Sequence, residues 1–240
     1  MGICEGCHSG CCRAFAVPLT GADIIRLESA QNLSFWDFGC RWADADGHIA
    51  RQHAPHFHFA DEPETPFVIC LRHEESRLFP GVTGCGFLQE SPADEDHPLG
   101  MAHCGVYDHR PMSCRAFPVR MNETSELAVL YDIPTSGRAD RHPQYTLCPR
   151  PWKTSDVDPI EQVQDLVVCE FEMSFFRKLA AIWNRVPQEW EAFPQFIQNV
   201  YSRRVVDRQT GTVAIPLSRF SDSKDTTIEV PVAKPITRAA

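Results

Sequence analysis

With 240 residues, the chain is long enough to bury a core without help from metal or disulfides. A hydrophobic share of 43% and a charged share of 23% are those of an ordinary globular chain, while a net charge of −9 argues against nonspecific affinity for nucleic acid or an anionic membrane. No stretch approaches the roughly 18 consecutive apolar residues of a membrane span. Eleven cysteines and no basic-then-apolar leader set the expectation of a reducing, cytoplasmic location in which thiols bind metal rather than pair.

The first element is the run Cys4-Glu5-Gly6-Cys7-His8-Ser9-Gly10-Cys11-Cys12-Arg13, with four thiols in nine residues. Two residues between Cys4 and Cys7 let a tight turn aim both sulfurs at one point, and Gly6 and Gly10 permit the backbone that such a turn needs. Adjacent Cys11 and Cys12 have diverging side chains. They suggest two metals, two irons of one cluster, or one ligand beside a bystander.

Thr20 and Asp23 then read as a capping box opening a helix with Ile24, Ile25, Leu27 and Ala30 on its apolar face. A second short helix is expected through Phe35-Trp36-Asp37-Phe38. Residues 40–66 are polar and read as irregular. Their His53, His56 and His58, with Asp61 and Glu62, offer imidazole and carboxylate ligands or simply a solvated loop. Phe67-Val68-Ile69-Cys70-Leu71 is a strand whose Cys70 is a small buried hydrophobe.

Thiols resume at Cys85, between two glycines, and at Cys104. Cys114 follows on a short helix with Pro111 in its first turn. Arg110 and Arg115 flank that thiol and would offset thiolate charge or pair with nearby carboxylates. Val119–Met121 and 127–132 read as a hairpin turning at 122–125. Cys148 is followed by Pro149, as in ferredoxin-type cluster sites.

Asp158-Pro159 opens a long helix to about Val186, with Ile160, Val163, Leu166, Val167, Phe171 and Leu179 recurring and Cys169 packed within it. A second helix is expected over 188–206, kinked or delayed by Pro194. Residues 207–240 read as a polar mobile tail or a loosely docked strand.

The order of these elements resembles the YkgJ-type cysteine-cluster family, described as a zinc- or iron-chelating domain. The matching residues are Cys4, Cys7, Cys11 and Cys12, then Cys85-Gly86-Phe87-Leu88, then Cys104-Gly105-Val106-Tyr107 into Arg110-Pro111-x-x-Cys114-Arg115-Ala116-Phe117-Pro118, and finally Cys148-Pro149. The resemblance covers roughly residues 1–150 and implies a compact, irregular domain that binds metal through thiolates. It departs from the family where three residues, rather than two, separate Cys7 from Cys11, which leaves the ligand role open between Cys11 and Cys12. Some relatives are associated with flagellin lysine methylation.

The expected fold is therefore α+β: a small irregular cysteine-rich metal-binding domain over 1–150, a helical pair over 151–206, and a tail over 207–240. The eight matched thiols would complete two four-cysteine sites, with an iron–sulfur cluster preferred to zinc because of the Cys-Pro ending and the flanking arginines. Three functions compete. One is a metal- or cluster-binding protein with a structural or redox role. A second is a cluster-dependent enzyme modifying a protein or peptide in a pocket lined by His8, His103, Tyr107, His109 and Arg110. The third is a metal-stapled module that binds a protein partner through its C-terminal helices.

Overall fold

The computed structural model describes residues 6–50, 53–124, 126–130, 141–148 and 153–202, together with the backbone of 205–206, 212–216 and 227–231. Helix and strand are mixed, as an α+β chain requires. Contacts divide the chain into two compact units, 1–189 and 190–240. No helix among the described residues is long and apolar enough to cross a membrane.

The first unit begins with the one-turn helix α1 (Gly10–Ala14) and continues with α2 (Gly21–Gln31) and α3 (Phe35–Phe38). The capping box at α2 forms as its sequence predicts. The Asp23 carboxylate accepts from the Thr20 amide at 2.9 Å, and the Thr20 hydroxyl accepts from the Asp23 amide at 3.2 Å. Ile24 and Leu27 are buried by this helix, whereas Ala30 is exposed.

Strands β1 (Gly39–Ala43), β2 (Phe57–Phe59) and β3 (Glu62–Leu71) make an antiparallel sheet with β3 in the middle. The described residues of the 40–66 stretch are thus more regular than their composition predicts. Gly-Cys-Arg-Trp-Ala has no alternation of its own, and β1 exists because it pairs residue for residue with the apolar end of β3, Ala43 opposite Phe67 and Gly39 opposite Leu71. The central Phe67–Leu71 strand forms as expected, and Cys70 has no exposed surface.

Three small antiparallel pairs follow. Strand β4 (His73–Glu75) pairs with β5 (Thr83–Cys85), and β6 (Leu88–Ser91) pairs with β7 (Met101–Cys104). After α4 (Met112–Ala116), β8 (Val119–Met121) and β9 (Ala128–Leu130) form the predicted hairpin. Pro111 stands at the N-cap of α4, one position outside the first turn.

Helix α5 (Pro159–Trp183) closes the unit, with the Asp158 carboxylate capping the amides of Ile160 and Glu161 and Pro159 in the first turn. Its inward face differs from the expected one. Leu166, Cys169, Met173, Phe176, Leu179 and Trp183 are buried, whereas Ile160, Val163 and Val167 lie out at 72%, 44% and 49% exposure. Apolar residues occur on both faces of the helix; the side that turns inward packs Leu166 and Cys169 against Met112 and Ala116, and Arg115 on α4 pairs with Asp165. At its far end the Trp183 indole donates to the His58 carbonyl at 2.7 Å. Asn184 clamps the β2 backbone with one bond to the His56 carbonyl and one from the His58 amide. Phe57 and Phe176, with ring centres 5.0 Å apart, and Phe59 against Trp183 make the core beneath it. Each such buried ring contributes about 2–3 kcal/mol.

In the second unit, α6 (Phe193–Tyr201) starts five residues later than the helix expected from 188, because Pro194 fits only the first turn, and it ends before Val206. Strands β10 (Val205–Val206), β11 (Thr212–Pro216) and β12 (Thr227–Pro231) follow as an antiparallel sheet in that order. The remaining positions of the expected tail lie outside the described residues.

Candidate functional site

The N-terminal turn is built by local backbone chemistry and then stitched to distant strands. Gly6 takes φ +74° and Ser9 φ 56°, both left-handed, the latter costly for a side-chain-bearing residue. Ser9 is held there by its amide, which donates to the Cys7 sulfur at 3.3 Å, and by its hydroxyl, which donates to the Ala102 carbonyl at 2.8 Å. The Ala102 amide donates to the Cys7 carbonyl at 2.9 Å. Cys7 is thereby docked on β7, two residues before Cys104.

Two further links bring in other thiol-bearing segments. The His8 ring lies 2.7 Å from the Thr146 carbonyl, two residues before Cys148, and Gly10 lets that carbonyl approach the α1 backbone so closely that a Cβ would collide with it. The Tyr145 hydroxyl in turn accepts from the Thr83 amide at 2.9 Å, at the start of the strand that ends in Cys85. Pairing of β6 with β7 sets Leu88 opposite Cys104, and the Gly105 amide returns to the Phe87 carbonyl at 2.8 Å. Helix α4, which carries Cys114, is fixed to α2 by the Met112 amide donating to Asp23 at 2.9 Å, and to the segment before α2 by the Ser113 hydroxyl donating to the Pro18 carbonyl.

Electrostatics reports the same gathering. Burial pushes the Cys114 pKa far up, and the neighbouring thiols of Cys85, Cys104 and Cys11 push it further. Burial lifts Cys85 to about 11, with Cys104 adding to the rise, and burial raises Cys104 itself while the Arg110 cation opposes it. Cys11 is raised well above its usual value, first by its hydrogen bond with Cys12, then by burial and by the charges of Cys12 and Cys7. Cys7 goes the other way: its hydrogen bond with His8 lowers the thiol pKa and raises that of the imidazole. Thiols from the N-terminal turn, α1, β5, β7 and α4 therefore sense one another.

No disulfide joins Cys7, Cys11, Cys12, Cys40, Cys70, Cys85, Cys104, Cys114 or Cys169. The donors are soft sulfurs, which suits zinc or an iron–sulfur cluster. Among the described residues, no three or more His, Cys, Asp or Glu side chains are placed to hold one metal ion. Cys4 lies outside the described residues.

The other predicted site residues separate clearly. Arg110 stays beside Cys104, its guanidinium 3.8 Å over the Tyr107 ring and bonded to the Tyr107 carbonyl. Arg115 pairs with Asp165 at 2.8 Å, the carboxylate pairing that was the plainer of its two expected roles. The histidines of 53–58 do not converge: His56 bonds Asp44 at 2.9 Å, His58 bonds the Pro63 carbonyl, and Asp61 and Glu62 both engage Arg41. Cys169 is buried against Met112 and Leu166.

Three residues at the site escaped the sequence reading. Arg13 is almost wholly buried, forms an ion pair with Glu90, and donates from Nε to the His8 carbonyl. Among the described residues its Nη2 has no hydrogen-bond partner, a deficit worth about 1–3 kcal/mol in a buried site. Ser76 completes the group by donating to the second Glu90 oxygen at 2.7 Å. An arginine directly after paired cysteines was the only available signal. Beside it opens a cleft of about 350 Å³, bordered by Arg13, Glu74, Arg77, Cys85 and Leu88. None of His8, His103, Tyr107, His109 or Arg110 borders that cleft.

Comparison with protein-family models, curated proteins and solved structures returns no match.

Proposed function

We propose that this chain is a metal-binding protein that coordinates an iron–sulfur cluster, or alternatively zinc, through the thiolates of Cys7, Cys11, Cys12, Cys85, Cys104, Cys114 and Cys148 together with Cys4, in a structural or redox role. One observation carries it: Cys114 lies close enough to Cys85, Cys104 and Cys11, from four separate segments, for their charges to act on it, and no disulfide consumes these sulfurs. The order of thiols along the chain, which resembles the YkgJ-type family over 1–150, supports the same reading.

Burial raises the pKa values of Cys85, Cys104 and Cys114, and the hydrogen bond with Cys12 followed by burial raises that of Cys11, so these four thiols hold their protons at neutral pH. Metal uptake on this reading draws the sulfurs in, displaces those protons and weakens as pH falls. Arg110 supplies a compensating positive charge next to Cys104. Bound zinc would close thiolate sites and staple the segments together, whereas an iron–sulfur cluster would add electron transfer.

Anaerobic purification with iron, sulfide and zinc quantified, together with a visible spectrum, tests the reading. Stoichiometric sulfide with broad absorbance near about 400 nm is the expected outcome, and colourless zinc-loaded protein would select the alternative. Cys7→Ser and Cys114→Ser should each lower metal content and stability far more than Cys169→Ser. Equal metal occupancy in all three variants would sink the ligand assignment. The second reading, a module that binds a protein partner, is favoured only by the exposed row Ile160, Val163 and Val167 on α5.

A further inference from the structure

Cys40 on β1 and Cys70 on β3 stand outside the thiols assigned to metal, and they lie directly opposite each other in the antiparallel ladder. The amides of Leu19 and Leu71 donate to the carbonyls of Ile69 and Val17, both at 2.9 Å, which ties one edge of β3 to the segment before α2. The amide and carbonyl of Cys70 alternate with these and point the other way, toward β1. Cys40 and Cys70 are therefore a hydrogen-bonded pair, with Cα atoms about 5.5 Å apart and side chains on one face of the sheet. That separation is one a disulfide spans, and closing the bridge asks the two Cβ atoms to approach by about 1 Å.

Two further observations bring the sulfurs together. The Cys40 thiol reaches across the ladder and donates to the Leu71 carbonyl at 3.6 Å, one residue along β3 from Cys70. Burial raises the Cys70 pKa well above its usual value, and the charge of Cys40 adds to the rise. Both thiols are free, but they differ in access: Cys40 is half-buried, whereas Cys70 has no exposed surface. A reagent from solution meets Cys40 first, and Cys70 stands behind it inside the sheet.

We propose that Cys40 and Cys70 form a redox-active dithiol, converted reversibly to a cross-strand disulfide by a low-molecular-weight disulfide such as oxidised glutathione. Cys40 gives up its proton and attacks one sulfur of the oxidant. The oxidant's S–S bond breaks, a mixed disulfide forms on Cys40, and one small thiol leaves with the proton. Cys70 then gives up its proton and attacks the Cys40 sulfur, so that the Cys40–Cys70 bond replaces the mixed disulfide and the second small thiol leaves with that proton. Two protein thiols lose two electrons, and one small disulfide gains them to become two thiols. Burial lifts the Cys40 pKa to about 11 against the opposing Arg72 cation, so little thiolate is present at neutral pH and the exchange is slow. Under reducing conditions the pair rests as the dithiol, and under oxidising ones the bridge fixes β1 to the centre of its sheet.

The full chain as purified, equilibrated without oxygen in oxidised or reduced glutathione, quenched in acid, blocked at its remaining thiols and mapped by tryptic peptide mass spectrometry, tests the proposal. Trypsin releases residues 27–41 and 52–72 as peptides whose single cysteines are Cys40 and Cys70. Oxidised glutathione should yield these two peptides linked, and excess reduced glutathione should then lower the linked species at least about tenfold. Cys70→Ala, which keeps a small apolar group in the core, should accumulate glutathione on Cys40. Cys40→Ser, a change at a half-buried position, should leave Cys70 without glutathione. Absence of the linked pair at equilibrium, linkage of Cys40 mainly to another cysteine, or a link that reduced glutathione does not reverse would each overturn the proposal. Metal content, assayed on the same samples, reads the other thiols separately, so either assignment can fail alone.

Discussion

Asp44 shows how much one carboxylate organises. Just beyond β1, its oxygens accept from the amides of Ile49 and Ala50 at 3.1 and 2.9 Å and engage the His56 ring at 2.9 Å. Burial alone would raise its pKa, but those amides and the imidazole outweigh it and hold the carboxyl below its ordinary range. A depressed folded-state pKa contributes stability that is present above the unfolded value and lost as pH falls through the folded one. Asp44→Asn should therefore cost about 1–3 kcal/mol at pH 7. In urea titrations its deficit relative to wild type should close as pH drops below about 4; a deficit unchanged at acid pH would mean that the ionised form contributes nothing. None of this was visible in the sequence, where Asp44 was one acid in a polar run. The capping pairs Thr20 with Asp23 and Asp158 with the first turn of α5 were visible, because both act across three residues or fewer.

At the level of elements, what neighbours in sequence decide was legible and what distant pairing decides was not. The strand around Cys70, the β8–β9 hairpin and the start of α5 carry their own signals of apolar run, turn and cap. Strand β1 carries none. Nor could the sequence tell which face of α5 turns inward, since Asp165 reads as a surface residue until Arg115, fifty positions earlier, is placed beside it. Among the candidate site residues, the thiol spacing was legible, while the Arg13–Glu90 pair, 77 positions apart, was not. The contact between α1 and the turn at Pro143–Tyr145 is the element-level link most open to test. A Cβ at Gly10 would run into the Thr146 carbonyl and crowd the His8 ring. Gly10→Ala should destabilise the protein by about 1–3 kcal/mol, and on the metal reading it should also lower metal content by moving Cys148 away from Cys11. Wild-type stability and metal content in this variant would show that the approach is not required.

Over the whole molecule, the first unit has an aromatic core under the far end of α5 and a region of small two-stranded pairs around the thiols. Short pairs of three or four residues bury little surface and are marginal by themselves. On the metal-binding reading, they are what the ion holds together. Chelation of the loaded protein should then lower its melting temperature by more than about 10 °C, measured by circular dichroism with re-addition of metal as the control. An unchanged melting curve with metal removed would leave a redox role and exclude a structural one.

The Asp23 carboxylate, wholly buried, begins two helices: it receives the Thr20 amide at the start of α2 and the Met112 amide at the start of α4. The segment that presents Cys114 is therefore hinged on the same pin as α2. Shifting the start of α4 would strain the bond from the Met112 amide to that carboxylate, and through the same carboxylate the first turn of α2.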